Sequence, residues 1–426
     1  MASATLTTLD PVMKQLYKGQ RVPMMSYKNR AFLAILAKDE SFYGRNLPLP
    51  IQYSCGGGGS NSIADAIADT TSPTFEDFLL TRKSDYSIGT IDGEAIEASA
   101  ADKGSFIRGL KAVVDSKLRV LSNRMAAKLF RDGTGAMSQI TSWTANDTFI
   151  ELADDGGIAC FEVGDQICTT DTSATESRLN DAAGGENVHI TGVKRSARYL
   201  LTGVDIDNTI TAIANDNWVV NHGDRQNAAM TAGLTADHLC MEGLDSWVPE
   251  SAPAANLFFN VDRTAESRLG GMRLDASGYA LQEEAIIDAS GMVDQEGGSC
   301  DVFVLHPAKF RQLIKELGSK VQYDKLQARG AKGEIAHIGF RTVVLDGVSG
   351  PVKVVSDRFC PLKRGWALDM STWKLYTLGQ APKILQHDGN KMLRIVDSDG
   401  YEIRMGCRGN LGCNAPGWNC CTVMPV

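Results

Sequence analysis

The sequence predicts an α+β chain that carries an inserted β-rich domain. Three observations lead there. One long amphipathic helix runs over residues 102–132, two extended runs form a hairpin across residues 46–91, and a cluster of short strands spans residues 146–224.

The helix rests on periodicity. Phe106, Leu110, Val113, Val114, Leu118, Leu121, Met125 and Leu129 recur three and four residues apart, which places them on one stripe. Asp102 stands at an N-cap position and Gly133 supplies the stop. The remaining face is basic: Lys103, Arg108, Lys111, Lys117, Arg119, Arg124, Lys128 and Arg131 face only Asp102, Asp115 and Asp132.

The hairpin rests on backbone chemistry. Asn46 to Ser54 contains Pro48 and Pro50, which forbid helix and suit an edge strand. Gly56 to Gly59 forms a flexible tip, and Phe75 to Ile91 returns with β-friendly Phe78, Thr81, Tyr86 and Ile88. The hairpin has little apolar content of its own and needs another surface. Residues 1–45 read the same way. Short apolar pieces lie between Lys14, Lys18, Arg21, Lys28, Arg30, Lys38 and Arg45, as in an arm rather than a core element.

Between 146 and 224 the pattern is strand and turn. Thr148–Ile150, Cys160–Cys168 broken at Gly164, Val188–Val193, Ile210–Ile213 and Trp218–Val220 suggest a small barrel or sandwich. After Trp247 the pattern is mixed. A helix is expected over Tyr279–Met292, a strand over Asp301–Leu305, and a helix over Ala308–Leu317 opened by Pro307. Strands follow over Arg341–Leu345 and Val352–Val355. A hairpin of Met392–Val396 and Tyr401–Met405 turns at Asp399-Gly400.

The chain has 426 residues and a net charge of -8. The charge is uneven: residues 146–245 carry 17 acids against 5 bases, which leaves the remainder at +4. A strongly basic nucleic-acid binder is excluded, and two surfaces with different surroundings are implied. Mean hydropathy is -0.15, and there is neither a membrane-length apolar run nor a secretory signal, so synthesis in the cytosol is expected.

Enzyme motifs are missing. No H-E-x-x-H, G-x-S-x-G or P-loop occurs, and the tetraglycine lacks the Lys and Ser/Thr of a phosphate site. Asp397-Ser-Asp399-Gly400 lacks the later ligands of an EF-hand loop. The 6 His are scattered. Of the 10 Cys, Cys407, Cys413, Cys420 and Cys421 come closest together, but their spacing fits no zinc site. They read as small buried apolar side chains, with interchain disulfides after release as the alternative. No metal, cofactor or catalytic residue is expected.

The order of arm, hairpin, basic helix, β insertion, mixed part and closing strands resembles the major capsid protein of tailed bacteriophages. This is the Hong Kong phage-type shell fold shared with encapsulins. The residues that carry the likeness are Phe75–Lys83 leading to Tyr86, Ala98-Ser99, Leu129–Gly135, Gly243–Trp247, Val261–Arg263 and Val304–Phe310.

The resemblance implies a division into six parts. Residues 1–45 are the N-terminal arm, and 46–95 the extended loop that lies over a neighbour. Residues 96–145 hold the spine helix and the start of the peripheral domain, and 146–250 the inserted domain. Residues 251–365 are the axial domain, and 366–426 the closing strands of the peripheral domain.

It further implies a structural protein of the virion that assembles with itself into hexamers and pentamers of an icosahedral shell around double-stranded DNA. A separate scaffolding protein, a portal at one vertex and a possible cement protein are the expected partners. No membrane is involved, and assembly occurs in the host cytoplasm. Arg108, Lys111, Arg119 and Arg124 are expected on the inner surface, and Phe78, Arg82, Lys83 and Tyr86 as loop contacts. Lys83 is the only Lys of the loop and lies on the returning strand, away from the tip, which argues against a Lys–Asn cross-link there. A β-modular tail or adhesion protein and a Cys/His hydrolase are the rival classes.

Overall fold

The computed structural model describes residues 30–92, 109–144, 147–153, 155–170, 187–206, 210, 213–224, 239–253, 257–264, 266–317, 322–329, 335–386, 390, 392–395 and 399–425. The chain divides into two compact units. One comprises Met1–Tyr27, Ser87–Val120 and Ile384–Met405, and the other Lys28–Tyr86, Leu121–Lys383 and Gly406–Val426.

In the smaller unit, the strand Lys83–Asp92 contributes its second half and the helix Gly109–Lys128 its first. They approach closely because position 89 is glycine. A Cβ there would lie 2.8 Å from Val113 Cγ1 and 3.2 Å from Lys117 Cγ. The expected C-terminal hairpin is present: Leu393 pairs with Glu402 and Arg394 with Tyr401, while Val396 lies outside the described residues.

The larger unit is built on a seven-stranded sheet. Its order is Met272–Asp275, Cys420–Val423, Arg364–Leu368, Val302–Leu305, Pro351–Ser356, Ile335–Asp346 and Gln322–Arg329. Val302–Leu305 is buried along its whole length. It runs parallel to Pro351–Ser356 and antiparallel to Arg364–Leu368, so an unbroken apolar run serves a strand covered on both faces.

The helices Gln282–Gln295 and Pro307–Leu317 contribute Ala285, Ile286, Ala289, Leu313 and Leu317 to this core, against Phe303, Leu305 and Val354. The first helix starts later than the expected Tyr279, because the Glu316 carboxylate accepts from the Gln282 N–H and ties the helix start to its neighbour. Arg364–Leu368 and Cys420–Val423 straddle and follow the expected boundary at 365/366, yet they are central strands of this one sheet.

Ala136–Ser142, Phe149–Leu152, Gln166–Thr170, Val188–Lys194, Tyr199–Thr202 and Trp218–Asn221 close into a six-stranded barrel. Alternate residues fill it: Met137, Ile140, Ile150, Leu152, Ile167, Val188, Ile190, Leu200 and Val219, with Phe161 from a turn. The barrel takes in a strand upstream of the expected start at 146. Ile210 is not a strand residue. Its N–H donates to Ile206 O at 2.8 Å and its side chain joins the barrel core, while residues 211 and 212 of the expected strand lie outside the described residues.

The hairpin is present, with two differences. Asn46–Ser54 pairs antiparallel with Thr74–Thr81, but the tip also contains a short helix, Ile63–Ala68. The returning run breaks at Arg82 into Thr74–Thr81 and Lys83–Asp92.

The arm is corrected as well. Residues 30–45 are anchored at Ala31–Leu33, Leu36 and Phe42, which are buried in the subunit's own core, while Tyr43 is exposed. Ala31, Phe32 and Leu33 are buried, the Phe32 N–H donates to Asp357 Oδ2 at 3.0 Å, and Ala37–Asp39 pairs parallel with Trp373–Thr377. Phe32 meets Phe130 at 5.4 Å between ring centroids. Residues 1–29 and 93–108, including Ala98, Ser99 and Phe106, lie outside the described residues.

Phe32→Ala is therefore expected to cost about 3–5 kcal/mol, as for a fully buried aromatic ring. Removing residues 1–45 takes away both Phe32 and Phe42, each without exposed surface, and should yield insoluble chain. Removing 1–29 should leave a folded subunit. Urea unfolding of the subunit before assembly, followed by circular dichroism, checks all three.

Candidate assembly surfaces

The long helix ends where another segment captures its last carbonyls. It stops at Lys128, short of the expected 132. Beyond it, Leu129 O accepts from the Leu244 N–H at 2.8 Å, and Arg131 O from the Gly243 N–H at 2.9 Å. These acceptors have no partner within their own helix, so an outside donor must supply one. Glycine is required at 243 because a Cβ there would collide with the Lys128 and Arg131 carbonyl oxygens.

The chain then turns through Leu244–Trp247, and Trp247 is fully buried. Its indole N–H donates to Leu411 O at 3.0 Å. Around it, Phe78, Phe258 and Trp373 stand at 5.1, 5.0 and 6.4 Å. Two of the sequence segments singled out above, Leu129–Gly135 and Gly243–Trp247, are thus one joint.

Beside this joint lies a buried ionic cluster. Asp224, after the last barrel strand, is bonded by Arg124 Nη2 at 2.6 Å and by Lys128 Nζ at 3.0 Å. Asp85, on the return strand of the hairpin, accepts from Lys128 at 2.9 Å and faces Arg124 Nε at 3.4 Å. Burial pushes the Asp85 carboxyl up, but Lys128 and Arg124 outweigh it and hold it below the usual carboxylate range. Burial likewise opposes the positive charge on Arg124 and Lys128, and Asp224 and Asp85 overcome it, so both stay protonated. Cys240 closes the group as a neutral thiol, pushed up to about 12 mainly by burial.

Several expected positions are thereby reassigned. Arg124 is not a free surface charge, since two carboxylates from remote parts of the chain neutralise it. Lys128, counted on the basic face, is 4% exposed. Arg119 is half-buried, and its Nη1 has no hydrogen-bond partner among the described residues. Lys111 lies on the helix with its side chain undescribed, and Arg108 lies outside the described residues.

Of the loop positions, Phe78 belongs to the chain's own core, because the hairpin packs its inward face on Trp247. Arg82 also turns inward. It donates to Phe42 O at 2.9 Å, with its guanidinium 5.3 Å from the Phe42 ring centre. Lys83 lines a small cavity with Asp85, Lys128 and Cys407. Tyr86 is half exposed beneath Arg408.

Exposed apolar side chains are scattered over the described surface, from Val163 and Leu257 to Val348, and three of them lie close together on the hairpin. Ile63 is 81% exposed and Ile67 71%, four residues apart on one helix face, and Phe75 is 60% exposed. The sequence carried the signal for the ionic cluster only in part: Arg124 and Lys128 stand four apart, but nothing local marks Asp85 or Asp224 as their partners.

Cys407 and Cys413 lie on the strand Gly400–Cys413, whereas Cys420 and Cys421 lie in the seven-stranded sheet. All four are buried free thiols. Burial pushes Cys407, Cys413 and Cys420 up to about 12, and Cys421 up as well. Among the described residues no group of three or more His, Cys, Asp or Glu is placed to hold a metal ion.

A family model described as SU10 major capsid protein matches residues 131–390, more than half of the chain. The chain belongs to this capsid-protein family. It is a structural protein of the phage capsid shell, a component of the virion that associates with copies of itself. The cyanophage A-1(L) capsid subunit matches with a TM-score of 0.56 at 11% identity, covering 99% of each chain, which shows the shared fold. A chain of Mycobacterium phage Cain (TM-score 0.44, 11% identity, 100% of this chain and 98% of that one) is also similar. So is the SrpI encapsulin of Synechococcus elongatus PCC 7942 (TM-score 0.49, 7% identity, 99% and 96%). No curated protein sequence matches.

Breaking the ionic cluster should destabilise the capsid subunit. Lys128→Met leaves Asp224 and Asp85 under-compensated and should cost about 3–5 kcal/mol, as for a buried pair that loses one partner. The sign with pH follows from the lowered Asp85. Its contribution is complete above the ordinary carboxylate pKa of about 4 and is lost as pH falls below that value. Asp85→Asn should flatten the acid limb of stability against pH, measured by urea unfolding between neutral and acid pH.

Proposed function

We propose that this capsid protein builds the icosahedral head of a tailed phage, as hexamers and pentamers enclosing double-stranded DNA. The hairpin 46–95 lies on a neighbouring copy. The observation that carries this reading is the apolar helix at the hairpin tip. Ile63 and Ile67 face solvent in a single chain, which costs about 1.5–3 kcal/mol each relative to burial. A subunit destined for a shell recovers this when the tip meets its neighbour.

The division follows the family pattern, amended by the structure: an arm up to about residue 29, the hairpin, the helix-bearing peripheral part, an inserted barrel from 136, and an axial part around the helices 282–295 and 307–317. A separate scaffolding protein, a portal at one vertex and a possible cement protein complete the assembly, which proceeds in the host cytoplasm. The role is structural, without catalysis.

Ile63→Ser with Ile67→Ser should leave the subunit folded, because neither side chain is buried, and should abolish closed shells. Negative-stain microscopy of chain co-expressed with the neighbouring scaffold gene checks it. Normal shells from the double variant would remove the hairpin tip from assembly.

We further assign an acidic exterior to the barrel region, which carries 17 acids against 5 bases, and a mildly basic interior to the long helix. Because Arg124 is neutralised internally, the lining falls to Arg108, Lys111 and Arg119. Replacing these three with Gln should reduce DNA-filled particles while empty shells still form. Equal loss of both particle types would assign them to subunit contacts. Sucrose-gradient separation of filled and empty particles gives the readout.

A further inference from the structure

The barrel core is a cluster of apolar side chains, yet Ser138, Thr169 and Asn221 point into it as well. Each is at most 3% exposed. Ser138 Oγ, Thr169 Oγ1 and Asn221 Oδ1 have no hydrogen-bond partner among the described residues. Polar atoms buried in that way lose their hydration without a replacement.

Their direction follows from the register. Val219 lies in the barrel core and pairs with Ser138 on one neighbouring strand and with Thr169 on the other. Residues directly opposite in an antiparallel pair share a face, so both hydroxyls point inward with Val219. Asn221 stands two residues after Val219 and opposite Ile167, another core residue, so its amide points inward too. The register shifts between Val219 and Val220, where the partner strand carries an extra residue, Met137. This bulge brings Met137 into the core beside Ser138 and passes Ala136 to the opposite face, with Cys168 and Val220.

The three groups are neighbours. Ser138 and Thr169 stand directly across from Val219, at about 5 Å between Cβ atoms, and Asn221 is diagonal to Thr169 at about 7–8 Å. One small molecule between a hydroxyl and an amide bridges such a span. Chemistry selects it. Each hydroxyl can donate or accept, and the Asn221 oxygen only accepts. A cation would find no carboxylate in this set, and an anion would meet the Asn221 oxygen. Water fits, because it accepts from the hydroxyls and donates to the amide oxygen.

We propose that the barrel holds ordered internal water at Ser138, Thr169 and Asn221. The water ties the side chains of the first, third and last barrel strands together at the point where the barrel closes. The Asn221 carbonyl also accepts from the Asp224 N–H at 3.1 Å, so the site steadies the turn that carries Asp224 to Arg124 and Lys128.

Two measurements on the full-length chain test this. A density map of the free subunit or of the shell, at a resolution that shows ordered solvent, should place a peak within hydrogen-bonding distance of Thr169 Oγ1 and Asn221 Oδ1. Ser138 Oγ should bond the same peak or one beside it. Thr169→Val then exchanges the hydroxyl for a methyl group of similar size. With water in the site one of its hydrogen bonds is lost, and the urea-unfolding equilibrium of the subunit should shift about three- to tenfold toward the unfolded state. A hydroxyl buried with no partner would instead be relieved by the methyl group, and stability would rise. A rise or no change overturns the proposal. So does a map of the unaltered protein with no peak at these oxygens, which is decisive even where the variant fails to fold.

Discussion

The last turn of the long helix depends on the Gly243–Leu244 backbone. Carbonyl groups at a helix end must find donors outside the helix or face desolvation unpaired. The N–H groups of Gly243 and Leu244 meet that need at Arg131 O and Leu129 O. Everything nearby follows from that docking. It fixes the position of Trp247, which seats the hairpin through Phe78 and engages the strand Gly400–Cys413 through Leu411. It also explains why residue 243 can only be glycine.

The ionic cluster complements this joint by tying together three parts of the chain that are remote in sequence. Asp85, Arg124 with Lys128, and Asp224 come from the hairpin base, the helix and the barrel exit. Two cations and two anions out of water are expensive to bury, and they persist because each carboxylate meets both cations. An arrangement of this kind stabilises weakly against a hydrophobic alternative, but losing one partner leaves a buried charge uncompensated. The hairpin is thus tied at its base by ion pairs, while Ile63 and Ile67 at its tip stay exposed in the single chain.

The hairpin edges show how a shell protein limits its own contacts. An unprotected edge on each side would allow uncontrolled stacking of subunits. Pro48 and Pro50 remove two donors from one edge, and Glu76 and Asp77 place two carboxylates on the other strand.

Local periodicity made much of this fold legible. The 3.6-residue stripe through Leu121, Met125 and Leu129 marked the helix, Pro48 and Pro50 marked an extended strand, and Val302–Leu305 before Pro307 marked a buried strand leading into a helix. These properties are set by residues a few positions apart, and any packing that kept them would look the same in sequence. The side of the chain on which a residue finds its partner is a different matter. Arg124 reads as a surface charge until Asp224, 100 residues away, is brought beside it. Phe78 reads as a contact for a neighbour until Trp247 covers it. Ala136–Ser142 falls before the expected start of the inserted domain until Trp218–Asn221 pairs with it and makes it a barrel strand. In each case the deciding energy is desolvation, and only the tertiary structure determines which groups lose their water and which remote groups replace it.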